Sequence, residues 1–222
     1  MKNLFGLIVS FVFIGIVLVS AKIFEKAGKE ASRKYIHIVL SNWWIIAMVF
    51  FDSPIWAAIG PTVFVFVNFA SYKFNLIKSM ERDENEKDGL GTVYYALTLL
   101  VLAVLMFGPL MNYKTVWGPT IGLAGIAVMG YSDALAAIVG KSIKSPSYKL
   151  NTTVKTLAGS AAMFCTTFII LSGFLVYCGV INWFFKALSI AIIDTILEAI
   201  SIKGTDNLTV PLATVGMLLL VV

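Results

Sequence analysis

The chain has 222 residues, of which 59% are hydrophobic and 13% are charged, and its formal net charge is +5. Soluble domains usually contain about 45–50% apolar and about 25% charged residues, so this composition excludes an ordinary soluble protein. Cys165 and Cys178 are the only cysteines and the chain has one histidine, which excludes a disulfide framework and a zinc-binding set.

Long apolar runs follow one another from the first residues to the end of the sequence. Runs of about 20 residues match the roughly 30 Å hydrocarbon core of a bilayer, because a helix rises 1.5 Å per residue. Their continuous apolar character predicts helices rather than the alternating strands of a membrane barrel. We predict seven or eight membrane-spanning helices, counted as eight at residues 4–21, 35–51, 54–70, 91–110, 117–140, 157–177, 180–202 and 208–222. The predicted fold class is an all-α polytopic membrane bundle, with residues 1–222 forming a single membrane-embedded domain.

The first apolar run has two interpretations. Val19-Ser20-Ala21 resembles the cleavage site of a signal peptide, but the run is longer than a usual signal-peptide core and only Lys2 precedes it. We expect it to remain as the first helix.

The distribution of basic residues predicts the orientation. Fourteen of the seventeen Lys and Arg residues lie in the connections after spans one, three, five and seven. Because basic residues accumulate in cytoplasmic loops, these connections are expected in the cytoplasm and both termini on the opposite side. The positive charge then reflects topology, and no basic-aromatic pattern predicts nucleic-acid binding. We expect an integral membrane protein, in the inner or plasma membrane if the source is bacterial.

Polar residues lie at the start of the second predicted span and near the end of the fifth. Arg33 and His37 are four residues apart at the start of the second span, with Lys34 beside them. A single histidine at a membrane interface is structural as often as catalytic. Asp133 lies near the cytoplasmic end of the fifth span, where a charge usually marks function. Its carboxylate could hold Mg²⁺, which prefers oxygen ligands, or it could pair with Lys141 or Lys144.

The connection after the fifth span is basic. Its lysines could neutralise phosphate oxygens, although topology alone also demands a basic cytoplasmic loop. Thr152 or Thr153 could cap the sixth helix and turn its positive end toward an anion. The basic residues are Lys141, Lys144, Lys149 and Lys155, and Thr156 and Ser160 follow them as possible hydroxyl donors.

Acidic residues return in the seventh span and the turn behind it. Asp194 and Glu198 are four residues apart and share a helix face, which predicts either a polar cavity or basic partners. Asp206 and Asn207 follow in a glycine-containing turn, where these residue types are common for conformational reasons alone.

Taken together, short motifs in this order resemble a known family. The motifs are Arg33-Lys34-x-x-His37, Gly91-Thr92, Asp133-x-x-Ala136-x-x-x-Gly140-Lys141, Lys155-Thr156-x-x-Gly159-Ser160, Glu198 and Asp206-Asn207-Leu208-Thr209-Val210-Pro211-Leu212. They resemble the CTP-dependent lipid kinases, which include dolichol, phytol and CTP-using diacylglycerol kinases and border on phosphatidate cytidylyltransferase.

The resemblance implies a reaction and a set of roles. A lipid alcohol (a polyprenol or dolichol, a phytol-type prenol or a diacylglycerol) would attack the γ-phosphate of CTP at the cytoplasmic membrane face. Mg²⁺ would be the cofactor, and Glu198 or His37 would accept the hydroxyl proton. The implied metal ligands are Asp133 and Asp206, and the implied nucleotide-binding residues are Lys141, Lys155, Thr156, Ser160, Asn207, Arg33 and Lys34.

Two other functions stay open at this point. A phosphatidate cytidylyltransferase would use the same nucleotide and metal but act at the α-phosphate. An ion-coupled transporter would use Asp194 and Glu198 as coupling sites, and it would be expected to contain inverted repeats, which the sequence does not show. The sequence specifies neither the acceptor nor the oligomeric state.

Overall fold

The computed structural model describes residues 1–26, 28–74, 90–108, 117–150 and 153–222. Within these ranges the chain forms ten α-helices, one π-helical turn and one two-stranded hairpin. The helices are α1 (Lys2–Glu25), α2 (Lys29–Ser41), α3 (Trp43–Phe50), α4 (Pro54–Phe74), α5 (Gly91–Met106), α6 (Trp117–Ala127), α7 (Asp133–Ser142), α8 (Leu157–Tyr177), α9 (Trp183–Ile200) and α10 (Asp206–Val221). The π turn (Val128–Ser132) joins α6 to α7, and the strands are β1 (Ser147–Leu150) and β2 (Thr153–Thr156).

Four segments are long and apolar enough to cross a membrane, judged by length and composition. They are Lys2–Glu25, Pro54–Phe74, Gly118–Ser142 and Leu157–Tyr177, and they coincide with the predicted first, third, fifth and sixth spans. Gly91–Met106 and Asp206–Val221 are shorter apolar helices. The helical fold class agrees with the prediction, while the count of seven or eight spans and the side on which the termini lie stay predictions.

The predicted second span, residues 35–51, is two helices instead of one. The break falls at Asn42, whose Nδ2 donates to the carbonyl of Ile38 at 2.9 Å, while Tyr131 donates to its Oδ1 at 2.9 Å. A side chain that bonds to nearby backbone carbonyls competes with the helical ladder. α2 also begins six residues before the predicted start, so that Arg33 and His37 lie well inside a helix.

The basic connection after α7 contains a hairpin that the sequence analysis did not predict. β1 pairs antiparallel with β2, and Tyr148 lies opposite Lys155. Thr156 ends β2 and caps α8, because its hydroxyl accepts a hydrogen bond from the Gly159 N–H at 3.2 Å. The predicted cap at Thr153 is therefore wrong, since Thr153 lies in β2; Thr152 is outside the described residues.

The continuous segment formed by α6, the π turn and α7 is central to the bundle. In the most apolar 18 residues of Gly118–Ser142, 61% of the residues are buried, compared with 28% in each of the other three long segments. α7 packs closely on α8 through glycines. A Cβ on Gly140 would lie 2.7 Å from Thr156 Oγ1, and a Cβ on Gly159 would lie 2.9 Å from the Ala136 carbonyl oxygen. Small residues thus bring the end of α7 against the hairpin.

Candidate active site

Three carboxylates from three helices meet at one end of the bundle. Asp133 is the first residue of α7, Glu198 lies in the last turn of α9, and Asp206 is the first residue of α10. One oxygen from each side chain lies within 4.8 Å of the others. Glu198 is buried and the two aspartates are mostly buried, so their negative charges repel one another without much screening by water.

The short turn between α9 and α10 brings two of these carboxylates together. Lys203 and Gly204 both adopt positive φ angles, 53° and 86°, which reverse the chain within a few residues. A Cβ on Gly204 would lie 2.7 Å from the Cα of Gly91, so this approach requires glycine at position 204. The Asn207 N–H donates to Asp206 Oδ1 at 3.0 Å, and the positive end of the α10 dipole also favours the carboxylate there.

The third carboxylate follows the π turn directly. Extra-residue turns of this kind are rare and occur often at functional sites. Here the turn covers Val128–Ser132 and ends at the residue before Asp133, and all of its residues except Tyr131 are buried. The irregular turn therefore sets the direction in which Asp133 leaves the central segment.

Two lysines from separate elements neutralise the cluster in part. Lys34 on α2 donates from Nζ to Asp133 Oδ2 at 2.5 Å. Lys155 on β2 donates to Glu198 Oε1, and its Nζ is 3.9 Å from Asp206 Oδ2. Burial alone would lower the pKa of Lys155, but Glu198 and Asp206 outweigh it and raise that pKa above its ordinary value. Three carboxylates facing two ammonium groups leave an excess negative charge.

His37 lies beside the cluster. Its Nδ1 is 3.7 Å from Asp133 Oδ2, and its ring packs against the ring of Tyr95 with centroids 4.6 Å apart. Only 6% of His37 is exposed, and Nδ1 has no hydrogen-bond partner among the described residues. The imidazole is therefore close enough to be oriented by Asp133 and still has a nitrogen available for a ligand.

Other residues singled out from the sequence are distributed around this centre. Ser160 shares a 2.5 Å hydrogen bond with the Tyr148 hydroxyl, and Thr156 is occupied by its role as a cap. Asn207 is buried, and its Oδ1 has no hydrogen-bond partner in the described part of the chain. Its Nδ2 donates to the Gly204 carbonyl at 3.3 Å. Asn207 thus contacts the cluster only through its backbone N–H, which donates to Asp206, and the Ser160 hydroxyl is paired with Tyr148.

Arg33 and Lys141 form a second basic group, around Glu30. Arg33 pairs with Glu30 at 2.6 Å, and Lys141 is exposed at the end of α7. Burial would raise the pKa of Glu30, but Arg33, Lys34 and Lys141 together lower it below its ordinary value. Lys141 thus influences Glu30, and it forms no ion pair with the carboxylate cluster in the described part of the chain.

Two pairings differ from the alternatives considered from the sequence. Asp133 pairs with Lys34 and not with Lys141 or Lys144. Asp194 is fully buried and is not one of the three clustered carboxylates. It accepts a hydrogen bond from Thr214 at 2.7 Å instead. Glu198 was predicted only as a proton acceptor, whereas the structure also places its carboxylate in the cluster. The spacing of Asp194 and Glu198, four residues apart and close to the turn at Asp206, could have indicated that Glu198 belongs to the cluster.

The donor set fits a hard divalent cation. Mg²⁺ and similar ions take carboxylate oxygens together with water and phosphate oxygens, and the cluster offers three carboxylates and an excess negative charge. Asp133, Glu198 and Asp206 are the residues that would hold such an ion.

The fold and the site define a helical protein of membrane type with an acidic, lysine-paired centre at one end of its bundle. The chain is 28% identical to a phytol kinase from Synechocystis sp. over 91% of its own length and 85% of that protein. It is 31% identical to a probable chloroplastic phytol kinase from Glycine max and 27% identical to one from Triticum aestivum. Each plant match covers 84% of this chain and 65% of the relative, so the chain spans less than two thirds of the plant proteins.

No family model matches the chain. No solved structure matches it either. The similarities to phytol kinases support the resemblance to lipid kinases that the motifs indicated, whereas CTP use and the relation to phosphatidate cytidylyltransferase stay predictions.

Proposed function

We propose that this protein is a CTP-dependent kinase that phosphorylates a prenol-type lipid alcohol at the cytoplasmic face of a membrane. The observation that carries the proposal is the convergence of Asp133, Glu198 and Asp206 with Lys34 and Lys155 on one site. Similarity to proteins named phytol kinase supports the choice of a prenol as acceptor. The proposed cytoplasmic orientation rests on the basic connections described above.

Phosphoryl transfer depends on positioning and on neutralising charge, with little covalent work for the protein. In the proposed reaction the hydroxyl oxygen of the alcohol attacks the γ-phosphorus of CTP, the bond from that phosphorus to the bridging oxygen breaks, and CDP leaves. Mg²⁺ held by the three carboxylates would supply positive charge beside the phosphates. Lys155 and Lys34 are the ammonium groups nearest to the carboxylates and are therefore assigned to phosphate oxygens when the nucleotide is bound.

The hydroxyl proton needs an acceptor, and the contacts favour His37 over Glu198. Glu198 is engaged by the ammonium group of Lys155, which stabilises its carboxylate but occupies it. His37 has an unpartnered Nδ1 among the described residues and lies 3.7 Å from Asp133. A carboxylate beside an imidazole stabilises the imidazolium that forms when the proton is taken up.

The remaining predicted nucleotide contacts are assigned by proximity. The second basic group, Arg33 and Lys141, lies next to Lys34 and is proposed to bind the outer phosphates of CTP. Thr156, Ser160 and Asn207 are proposed to contact the nucleotide from the hairpin and the start of α10.

The decisive experiment follows isotope from the nucleotide into lipid. Purified protein in liposomes with Mg²⁺ is given CTP labelled at either the γ- or the α-phosphate, together with phytol, geranylgeraniol, diacylglycerol or phosphatidic acid. We expect γ-label in a prenyl phosphate with release of CDP, and lower rates with ATP, GTP and UTP. Label transferred from the α-phosphate would instead establish a cytidylyltransferase. Failure of every acceptor with protein that passes a folding test would reject both reactions.

A further inference from the structure

A groove lies between the α4–α5 pair on one side and α1 and α2 on the other. Its enclosed cavity is small, about 30 Å³, and lies within about 540 Å³ of space that includes the open surroundings, so a bound hydrocarbon chain would have to widen it. α2 lines it with one face, since Arg33, His37 and Leu40 follow at spacings of four and three residues. Because His37 also lies 3.7 Å from Asp133, the groove begins at the candidate active site.

The lining changes from polar to apolar along the groove. Asn68, near the end of α4, donates from Nδ2 to the carbonyl of Thr92, near the start of α5, at 2.9 Å. Tyr95 on α5 donates to the carbonyl of His37 at 3.1 Å. These two bonds place the polar lining residues of α2, α4 and α5 at the same end. Farther along, the lining is apolar apart from the indole N–H of Trp43, which has no hydrogen-bond partner among the described residues; the lining residues there are Leu40, Trp43, Gly60, Pro61, Phe64 and Leu99.

The polar end contains two buried polar atoms without a partner, an amide oxygen and an imidazole nitrogen. Asn68 Oδ1 and His37 Nδ1 make no hydrogen bond within the described ranges, although Asn68 is only 3% exposed and His37 only 6%. Buried polar atoms are normally hydrogen-bonded, because leaving one without a partner is costly. A ligand hydroxyl at this end, which can donate and accept, would supply the missing hydrogen bonds.

The apolar end is closed by Trp43 and Gly60. A Cβ on Gly60 would lie 3.5 Å from Trp43 Cζ2, so the indole faces the glycine across the groove. Gly60 is eight residues from Asn68 on α4, which corresponds to a length of about 12 Å. The groove is thus a single narrow channel with one polar end, which suits one hydrocarbon chain with one hydroxyl better than the paired chains of a diacylglycerol.

We propose that this groove binds the hydroxyl end of the alcohol substrate and the adjoining part of its isoprenoid chain, with the hydroxyl at the His37 and Asn68 end and the chain running toward the contact between Trp43 and Gly60. The inference rests on the proposed function and adds to it the location of the acceptor. The hydroxyl then reaches the carboxylate cluster through His37, and the groove holds only the part of a phytyl chain next to the hydroxyl, while the rest passes Trp43 and Gly60 on the open side of the groove.

The first test is photolabelling of the unmodified protein, which needs no turnover. An isoprenoid alcohol that carries a diazirine near its tail is bound in liposomes and irradiated, and labelled residues are identified by mass spectrometry with and without excess phytol. We expect competed label on α1 to α5 around the groove, including Ile14, Trp43 and Gly60. Label that is confined to α6 to α10, or that phytol does not displace, would overturn the inference.

The second test uses variants that change the length of the groove. Gly60→Leu fills the apolar end and is expected to lower the preference for phytol over the shorter geraniol by about tenfold or more, because a misfit in an apolar pocket has an effect of that size. Trp43→Leu enlarges the same end and is expected to shift preference toward longer prenols. The matched control is Gly173→Leu, since Gly173 is exposed on α8 and a Cβ there meets nothing within 4 Å.

The outcomes separate the groove from the proposed reaction. If the protein phosphorylates prenols but chain-length preference is the same in Gly60→Leu, Trp43→Leu and Gly173→Leu, the groove assignment is wrong and the kinase stands. If no alcohol is phosphorylated but phytol displaces label from the groove, the reaction is wrong and the binding site stands.

Discussion

Lys34 and Asp133 are 99 residues apart in the chain, and Lys34 Nζ lies 2.5 Å from Asp133 Oδ2. The contact joins α2 to the central segment and connects the groove side of the bundle to the carboxylate cluster. Both side chains are largely buried, with 8% and 14% of their surface exposed. Removing one partner would therefore leave a charge with little solvent and without its direct counterion.

The first prediction separates the structural role of this pair from its catalytic role. Lys34→Met and Asp133→Asn should each lower the free energy of unfolding by up to about 3–5 kcal/mol. Each variant removes one charge of the pair and leaves the other buried without its partner. The double variant should recover most of that stability, since neither charge is left alone. It should not recover prenol phosphorylation. Thermal unfolding in detergent and turnover are measured on the same samples; recovered activity in the double variant would remove Asp133 from the reaction.

The second prediction concerns the metal. Glu198→Gln and Asp206→Asn should weaken Mg²⁺ binding about tenfold to a hundredfold, because one charged contact contributes about 1.5–3 kcal/mol. Mn²⁺ binding followed by electron paramagnetic resonance gives a readout independent of turnover, after treatment of the protein with a chelator. Asp52→Asn is the matched control, because Asp52 accepts a hydrogen bond from Asn3 far from the cluster. Equal affinities in all three variants would contradict the metal assignment.

The third prediction is a pH dependence of stability due to Lys155. Its pKa is raised in the folded protein, so the stability that its charge contributes is complete below the unfolded pKa, close to 10.5, and is lost as pH rises through the folded pKa. The difference in unfolding free energy between the wild type and Lys155→Met should stay constant up to about pH 10 and shrink at higher pH. Above pH 10, Lys155→Arg should still be more stable than Lys155→Met, because the arginine keeps its positive charge there. A difference that grows with alkaline pH would contradict the ion pairs.

The fourth prediction tests Thr156 as the cap of α8. Thr156→Ala should reduce stability by about 1 kcal/mol, the usual cost of losing a capping hydroxyl, whereas Thr156→Ser should be close to neutral. Thr195→Ala is the control, since Thr195 donates only to a carbonyl within its own helix. If Thr156 also binds CTP, as proposed, the KM for CTP should rise in Thr156→Ala at temperatures where the protein is folded. An unchanged KM would leave Thr156 with the capping role alone.

The lengths of the apolar runs predicted much of the fold, because the thickness of the hydrocarbon core and the rise per residue determine how long a spanning helix must be. Four long helices lie where those runs are, and α5 and α10 begin within two residues of the predicted starts. The break at Asn42 was not predictable from hydropathy, because one amide in an apolar run changes the average little. The β1–β2 hairpin was missed because its strands are short and basic, and only pairing across the turn stabilises them.

The site was predictable as a set of residues but not as a set of partners. Asp133, Glu198 and Asp206 stood out because acids are rare in an apolar chain. Topology placed Lys34 and Asp133 on the same predicted side, yet nothing in the sequence indicates that α2 packs beside the start of α7. The groove was partly visible, since Arg33, His37 and Leu40 share a face of α2. Which helices oppose that face depends on tertiary packing.

The π turn restricts how the sequence of the central segment can vary. Each residue of an α-helix rotates the next by about 100°, so an extra residue in one turn re-aims everything that follows it. The small residues of α6 and α7 therefore lie on different faces of the segment. Asp133 faces Glu198 and Asp206 only while the five residues Val128–Ser132 keep their wide turn. Deleting a single residue there would leave every side chain of the cluster present in the chain and still turn Asp133 away from Glu198 and Asp206.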